Sequence, residues 1–179
     1  MRRFAYLLLL AVSGLLFATT VIPLGVESLT QMSTHVVEGK AVSSTSQWNS
    51  DHTFIFTYTQ FEVQKTLKGQ APNAVTVRQI GGTVDGITQK VAGVRHWRPG
   101  EEAVLFLQPS SLPDGALVVT GLMQGNFLMR RTPEGQTYVS NGMPEAFEYQ
   151  AAAGEVTSYR GNTMRLDELE SRIQKAVVK

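Results

Sequence analysis

The chain contains no cysteine. That excludes disulfides and thiolate metal sites. It also excludes the lipid anchor of a bacterial lipoprotein, which needs a cysteine just after its apolar leader. Histidine is sparse: His35, His52 and His96 lie far apart, with neither HExxH nor H-x-H spacing. A metal site needs three or four converging ligands, so no metal and no cofactor is expected. No G-x-S-x-G elbow offers a hydrolase nucleophile. Gly81-Gly82 with Asp85-Gly86 lacks the order of a phosphate cradle and reads as a flexible loop. No Asn-x-Ser/Thr sequon occurs. No apolar run reaches the ~20 residues of a membrane span. These absences exclude the recognisable enzyme classes, and the expectation is a non-catalytic protein.

What is present begins at the N-terminus. Met1-Arg2-Arg3 is basic, Phe4 to Phe17 (FAYLLLLAVSGLLF) is uncharged and apolar, and small residues follow at Ala18, Thr19 and Thr20. This is the pattern of a secretory signal over 1–20, with cleavage after Ala18 or Thr20; retention as an N-terminal anchor is the alternative. The expected location is secreted or periplasmic, with no membrane attachment after cleavage. A secreted domain without disulfides must be held by its own core. Losing Arg2 and Arg3 leaves 14 Lys and Arg against 15 Asp and Glu. Such a near-neutral surface has no general attraction for nucleic acid.

The longest β pattern is Phe54 to Gly69, FIFTYTQFEVQKTLKG. Phe54, Phe56 and Tyr58 share one face of a strand by the period-two rule, whereas Phe61, Val63 and Leu67 fall on odd positions. The phase change predicts a bulge near Thr59 and Gln60, which bends a strand round a small barrel. Before it, Val21–Val26 reads as an extended lead-in, Glu27–Ser33 as a helical turn or two, and His35–Ser43 as a strand that Gly39 bends. Ser44–Asp51 reads as a polar hairpin loop carrying Trp48. After it, Lys68–Asn73 is a turn and Ala74–Ile80 a strand. Residues 81–100 are irregular, with a type II turn at Pro99-Gly100. Ala103–Leu107 (AVLFL) is a central strand buried on both faces, and Ala116–Thr120 is another. Asn126–Arg131 and Thr137–Ser140 form a hairpin. Residues 141–162 read as a linker. In 163–179, Leu166, Leu169, Ile173, Ala176 and Val177 make one helical stripe, with Thr163 as its cap.

Short strands separated by turns give an all-β class. The phase change and Gly39 favour a small five- to six-stranded Greek-key barrel of OB type over 21–140, followed by a C-terminal amphipathic α-helix.

The runs STHVVEGKAV, FTYTQFEVQKTLKG, VTVRQIGG and RPGEEAVLFL, in this order, resemble the OB barrel of netrin-like and TIMP-like domains, the latter being the tissue inhibitors of metalloproteinases. They are similar, more closely still, to uncharacterised exported bacterial proteins with the same skeleton. The likeness covers about Pro23 to Gln108. It implies the barrel and a binding-module function. The family's zinc-chelating inhibition does not carry over, because it needs an N-terminal cysteine.

One basic-aromatic cluster stands out: Arg95, His96, Trp97 and Arg98. An exposed tryptophan among cations anchors a protein partner or stacks on a sugar; the alternative is that Trp97 plugs a barrel end. Trp48 carries the same ambiguity. These five residues are the candidate ligand-binding set, for a protein or glycan. The competing functions are a protease regulator that does not chelate zinc and a hydrolase with an unrecognised site.

Overall fold

The computed structural model describes residues 20–142, 147–150, 155–158 and 161–178. The expected leader lies outside them except for Thr20. In chain order the elements are β1 (Thr20–Val21), α1 (Val26–Met32), β2 (His35–Trp48), β3 (Ile55–Lys68), β4 (Ala74–Ile80), the small hairpin β5 (Gly82–Val84) and β6 (Ile87–Gln89), β7 (Glu102–Pro109) and β8 (Leu117–Val119). A 3₁₀ turn (Leu122–Gly125) leads to β9 (Asn126–Arg131), β10 (Thr137–Ser140), β11 (Phe147–Gln150), β12 (Glu155–Ser158), β13 (Thr163–Arg165) and α2 (Leu166–Val177).

Five strands close a barrel in the order β7-β2-β3-β4-β8, with β8 returning to β7. Within the barrel only the β4–β8 contact is parallel. This is the OB-type Greek key expected from the strand pattern, with five strands. The far edge of β7 is shared: its first half pairs with β9 and its end with β8. β10 and β13 continue the sheet beyond β9. Within 141–162, the described residues include the antiparallel pair β11–β12, and β1 pairs in parallel with β11.

Alternation along β7 builds two cores from one strand. Ala103, Leu105 and Leu107 point into the barrel beside Val37, Ala41, Phe61, Val75, Val77 and Trp97. Val104 and Phe106 point out, where they join Val26, Leu29, Phe127, Leu169 and Ile173 beneath the two helices. Both faces of AVLFL are therefore buried, as its unbroken apolar run implied.

The face assignment of β3 differs from expectation. Ile55, Thr57, Thr59 and Phe61 face inward without interruption, while Phe54 is 50% exposed. The inward positions before Phe61 are the β-branched ones, and the outward aromatics find other cover: the Arg78 guanidinium lies 4.8 Å from the Phe56 ring. No slip occurs at Thr59-Gln60. The compensating irregularity sits directly across the ladder, where Val42 of β2 is the extra residue between Ala41↔Phe61 and Ser43↔Gln60. Two further shifts, after Val36 and after Glu38, coil the rest of the pair. Gly39 makes the expected close approach, since a Cβ there would lie 3.1 Å from the Glu62 carbonyl oxygen.

The end of β3 fastens the barrel to α1. Leu67 packs on the outer core. The Lys68 ammonium donates to the Thr30 and Ser33 carbonyls at 2.6 and 2.8 Å, satisfying the open end of α1. Gly69 has φ +78°, and a side chain there would collide with the Thr34 carbonyl. The Leu-Lys-Gly run is a structural clasp.

α2 begins later than its cap pattern suggested. Thr163 is not the cap, because its backbone is committed to β13 opposite Ser140; Arg165 takes that place without a side-chain cap bond. Leu169, Ile173 and Ala176 form its buried stripe. Beside that stripe Glu170 meets the barrel: Lys65 donates to it at 2.6 Å and lies 3.7 Å from Glu38. Glu38 is 8% exposed. Burial, reinforced by a hydrogen bond to and the charge of Glu170, pushes its carboxyl up to about 7 despite Lys65. Glu170 is held below the ordinary range, first through that same hydrogen bond.

The signs of these shifts give a pH profile. Glu38 binds its proton more tightly folded than unfolded, so its stabilisation is complete below about 4.5 and lost as pH rises through about 7. Glu170 contributes in the opposite sense, losing its stabilisation as pH falls below the ordinary glutamate range. Stability is expected to peak in mildly acidic solution and to fall by roughly 2–3 kcal/mol on going to about pH 8, one pKa unit being about 1.4 kcal/mol. Urea midpoints measured across this range check it, and Glu38→Gln should flatten the alkaline limb.

Candidate binding site

The cluster at 95–98 is mostly structural. Trp97 is 2% exposed and lies inside the barrel, edge-on to Phe61 at 4.9 Å between ring centroids. Its indole N–H donates to Asn126 Oδ1 at 3.0 Å. As an exposed anchor it is ruled out: the barrel end needed a large ring with one polar edge, and Trp97 fills it. Arg95 pairs with Glu101 at 2.8 Å, and its carbonyl accepts from Gln79 Nε2 at 3.0 Å. His96 Nε2 donates to the Ile80 carbonyl at 3.2 Å. Burial holds the His96 imidazole below its usual range, and the Ile80 bond opposes the shift. Arg98 remains exposed. Its backbone closes the Pro99-Gly100 turn, with Glu101 N–H donating to the Arg98 carbonyl and Gly100 at φ +93°. Trp48 lies at the end of β2, not in a loop, because the ladder with β3 runs on to Trp48↔Ile55. Its half-buried ring stacks on His52 at 6.0 Å. The five residues thus do not form one site.

An apolar concavity lies next to that loop. Phe56 of β3, Arg78 to Ile80 of β4, Val118 and Val119 of β8, and Gly93, Val94 and Leu122 line a pocket of about 180 Å³. Arg95 and His96 tie the loop to β4, so its preceding residues Gly93 and Val94 become one wall. On the opposite wall Arg78, 8% exposed, pairs with Asp114 at 2.7 Å, and Tyr58 donates to the same carboxylate at 3.2 Å. Burial raises the Asp114 carboxyl, but the Ala116 N–H, the Arg78 charge and the Tyr58 hydroxyl outweigh it and hold it below the usual range. With its guanidinium engaged by Asp114 and Phe56, Arg78 acts as a rigid wall.

Two features mark this pocket. Leu122 is 46% exposed at its rim and has φ +57°, a left-handed conformation that branched residues resist. Gln79 has its amide nitrogen fixed on the Arg95 carbonyl, which leaves Oε1 buried without a hydrogen-bond partner. Sequence reasoning missed the pocket because its walls come from positions 56 to 122 and no contiguous run encodes it. The outward-facing Phe56 was its one local trace. Among the described residues no three His, Cys, Asp or Glu side chains converge as metal ligands, and no helix is long and apolar enough to cross a membrane.

No family model matches the chain. Nor does any curated protein match it significantly.

Proposed function

We propose that the chain is an exported, non-catalytic protein-binding module that seats one side chain of its partner in the pocket between β3, β4 and β8. The carrying observation is the size and lining of that pocket. At about 180 Å³ it falls below the ~300–1,000 Å³ of small-molecule sites, and its walls are mainly apolar. A single large apolar side chain, the usual anchor of a protein interface, suits it. A sugar would find few hydrogen-bonding groups there. The apolar leader at Phe4–Phe17 supports export, and the likeness to netrin-like barrels supports a binding role.

A photoreactive residue at Leu122 is expected to form a discrete protein adduct in the extracytoplasmic fraction, and Val118→Asp should abolish it. A probe at Glu134, in the turn between β9 and β10, should give none. Equal labelling from both positions would sink the reading. Leu122→Gly separates binding from stability: it relieves the left-handed strain, so stability should stay within about 1 kcal/mol while affinity for the partner identified by that adduct falls.

A further inference from the structure

The second half of β2 has an open edge. Its first half is covered by β7 as far as Lys40↔Glu102, and Ala41 bonds to Gly100 and Glu101. From Ser43 to Trp48 only β3 pairs with it among the described residues. Asn49 N–H donates to the Phe54 carbonyl, which makes 49/54 a hydrogen-bonded pair. By alternation 47/56, 45/58 and 43/60 are bonded pairs, so the N–H and C=O groups of Ser44, Ser46 and Trp48 point away from β3. Natural edges are blunted by charge or proline. Here Ala41 to Ser50 carries neither, and its bulge at Val42 lies before the open stretch from Ser43 to Trp48.

We infer that this edge is an interface between two copies of the chain, paired antiparallel about a two-fold axis at Ser46. The outward groups fix the register. Ser44 stands opposite the partner copy's position 48, Ser46 opposite its own equivalent, and each bonded pair exchanges about two backbone hydrogen bonds. Side chains fit that register. The large Trp48 ring meets the small Ser44, and Thr45 meets Gln47. Charges fit it as well: Lys40 flanks one end of the open edge and Asp51 the other, so antiparallel pairing brings opposite signs together, whereas parallel pairing would oppose like charges. The contact lies on β2, apart from the β3–β4–β8 pocket, and does not depend on its role.

The absence of cysteine makes the test clean. Sedimentation of the purified protein is expected to show a reversible dimer forming at about 0.1 mM, as suits a small polar interface. Thr45→Lys places like charges beside the axis and should leave a monomer at that concentration. Ser46→Pro removes an N–H that β3 does not use and should do the same, with the urea midpoint of Thr45→Lys unchanged as a check on folding. Ser46→Cys, carrying the sole thiol, should oxidise to a dimer at least about tenfold faster than Glu134→Cys, because bonded cross-strand pairs stand about 5.5 Å apart between Cα atoms. A wild type that stays monomeric at about 1 mM, a dimer that survives Thr45→Lys, or a Ser46→Cys thiol captured only by a different protein each overturns the inference.

Discussion

Phe61→Ala is expected to lower stability by about 3–5 kcal/mol, the range for truncating a fully buried aromatic. Phe61 has no exposed surface and stands where β2 carries its extra residue. Its ring contacts Trp97 inside the barrel and lies under Gly39, where a Cβ would come within 3.4 Å of it. The walls are strands closed by hydrogen bonds on both sides, so they relax little into the space left behind, and the cost should fall in the upper part of that range. A two-state urea titration measures it. A loss below about 1 kcal/mol would mean that the inward phase of β3 is wrong.

Trp97→Ala should cost as much, about 3–5 kcal/mol, for a related reason. The substitution empties the barrel end and also strips Asn126, itself 5% exposed, of its donor. Leaving that acceptor unpaired adds about 1–3 kcal/mol to the loss of packing. Trp97→Phe divides the two contributions, since it retains much of the ring volume and loses only the N–H. Phe61 and Trp97 touch, so the double variant should be milder than the two single losses together, by about 1 kcal/mol. Iodide should quench the half-buried Trp48 and leave the emission of Trp97 almost untouched. Strong quenching of Trp97, or a stability loss under about 1 kcal/mol, would restore it as an exposed anchor.

Much of the barrel is legible along the chain. The unbroken AVLFL run marks a strand with a core on each side, and β7 has just that position. Pro99-Gly100 encodes a turn by steric preference alone. The spacing of Leu169, Ile173 and Ala176 makes a helix with one buried stripe. The long β3 pattern shows where the chain must coil, but alternation defines two faces without saying which is inside. Phe54, Phe56 and Tyr58 look inward by bulk, and Ile55, Thr57 and Thr59 take that side because the ladder with β2 and β4 sets the register.

The two tryptophans show the same limit at the level of the site. Their neighbours in sequence, polar for Trp48 and basic for Trp97, suggest exposed loops. Whether a ring is buried depends on what arrives from elsewhere: Phe61 and Asn126 reach Trp97 from positions 36 before and 29 after it. Glu38 gives no local sign of an elevated proton affinity, because its burial, the main cause, and Glu170, which reinforces it from the C-terminal helix, both come from the tertiary fold.

By itself, then, the sequence settles composition and local preference: no disulfide, no cysteine-anchored lipid, a β-rich chain followed by an amphipathic helix, and turns at fixed glycines. Only the tertiary structure decides which face of β3 is core, that Trp97 is a plug, that Phe56, Gln79, Val94, Val118 and Leu122 meet in one pocket, and that β2 keeps an open edge beyond Lys40. The physical reason is range. Alternation and turn chemistry act over a few residues, whereas burial, pockets and open edges follow from pairings between strands tens of residues apart.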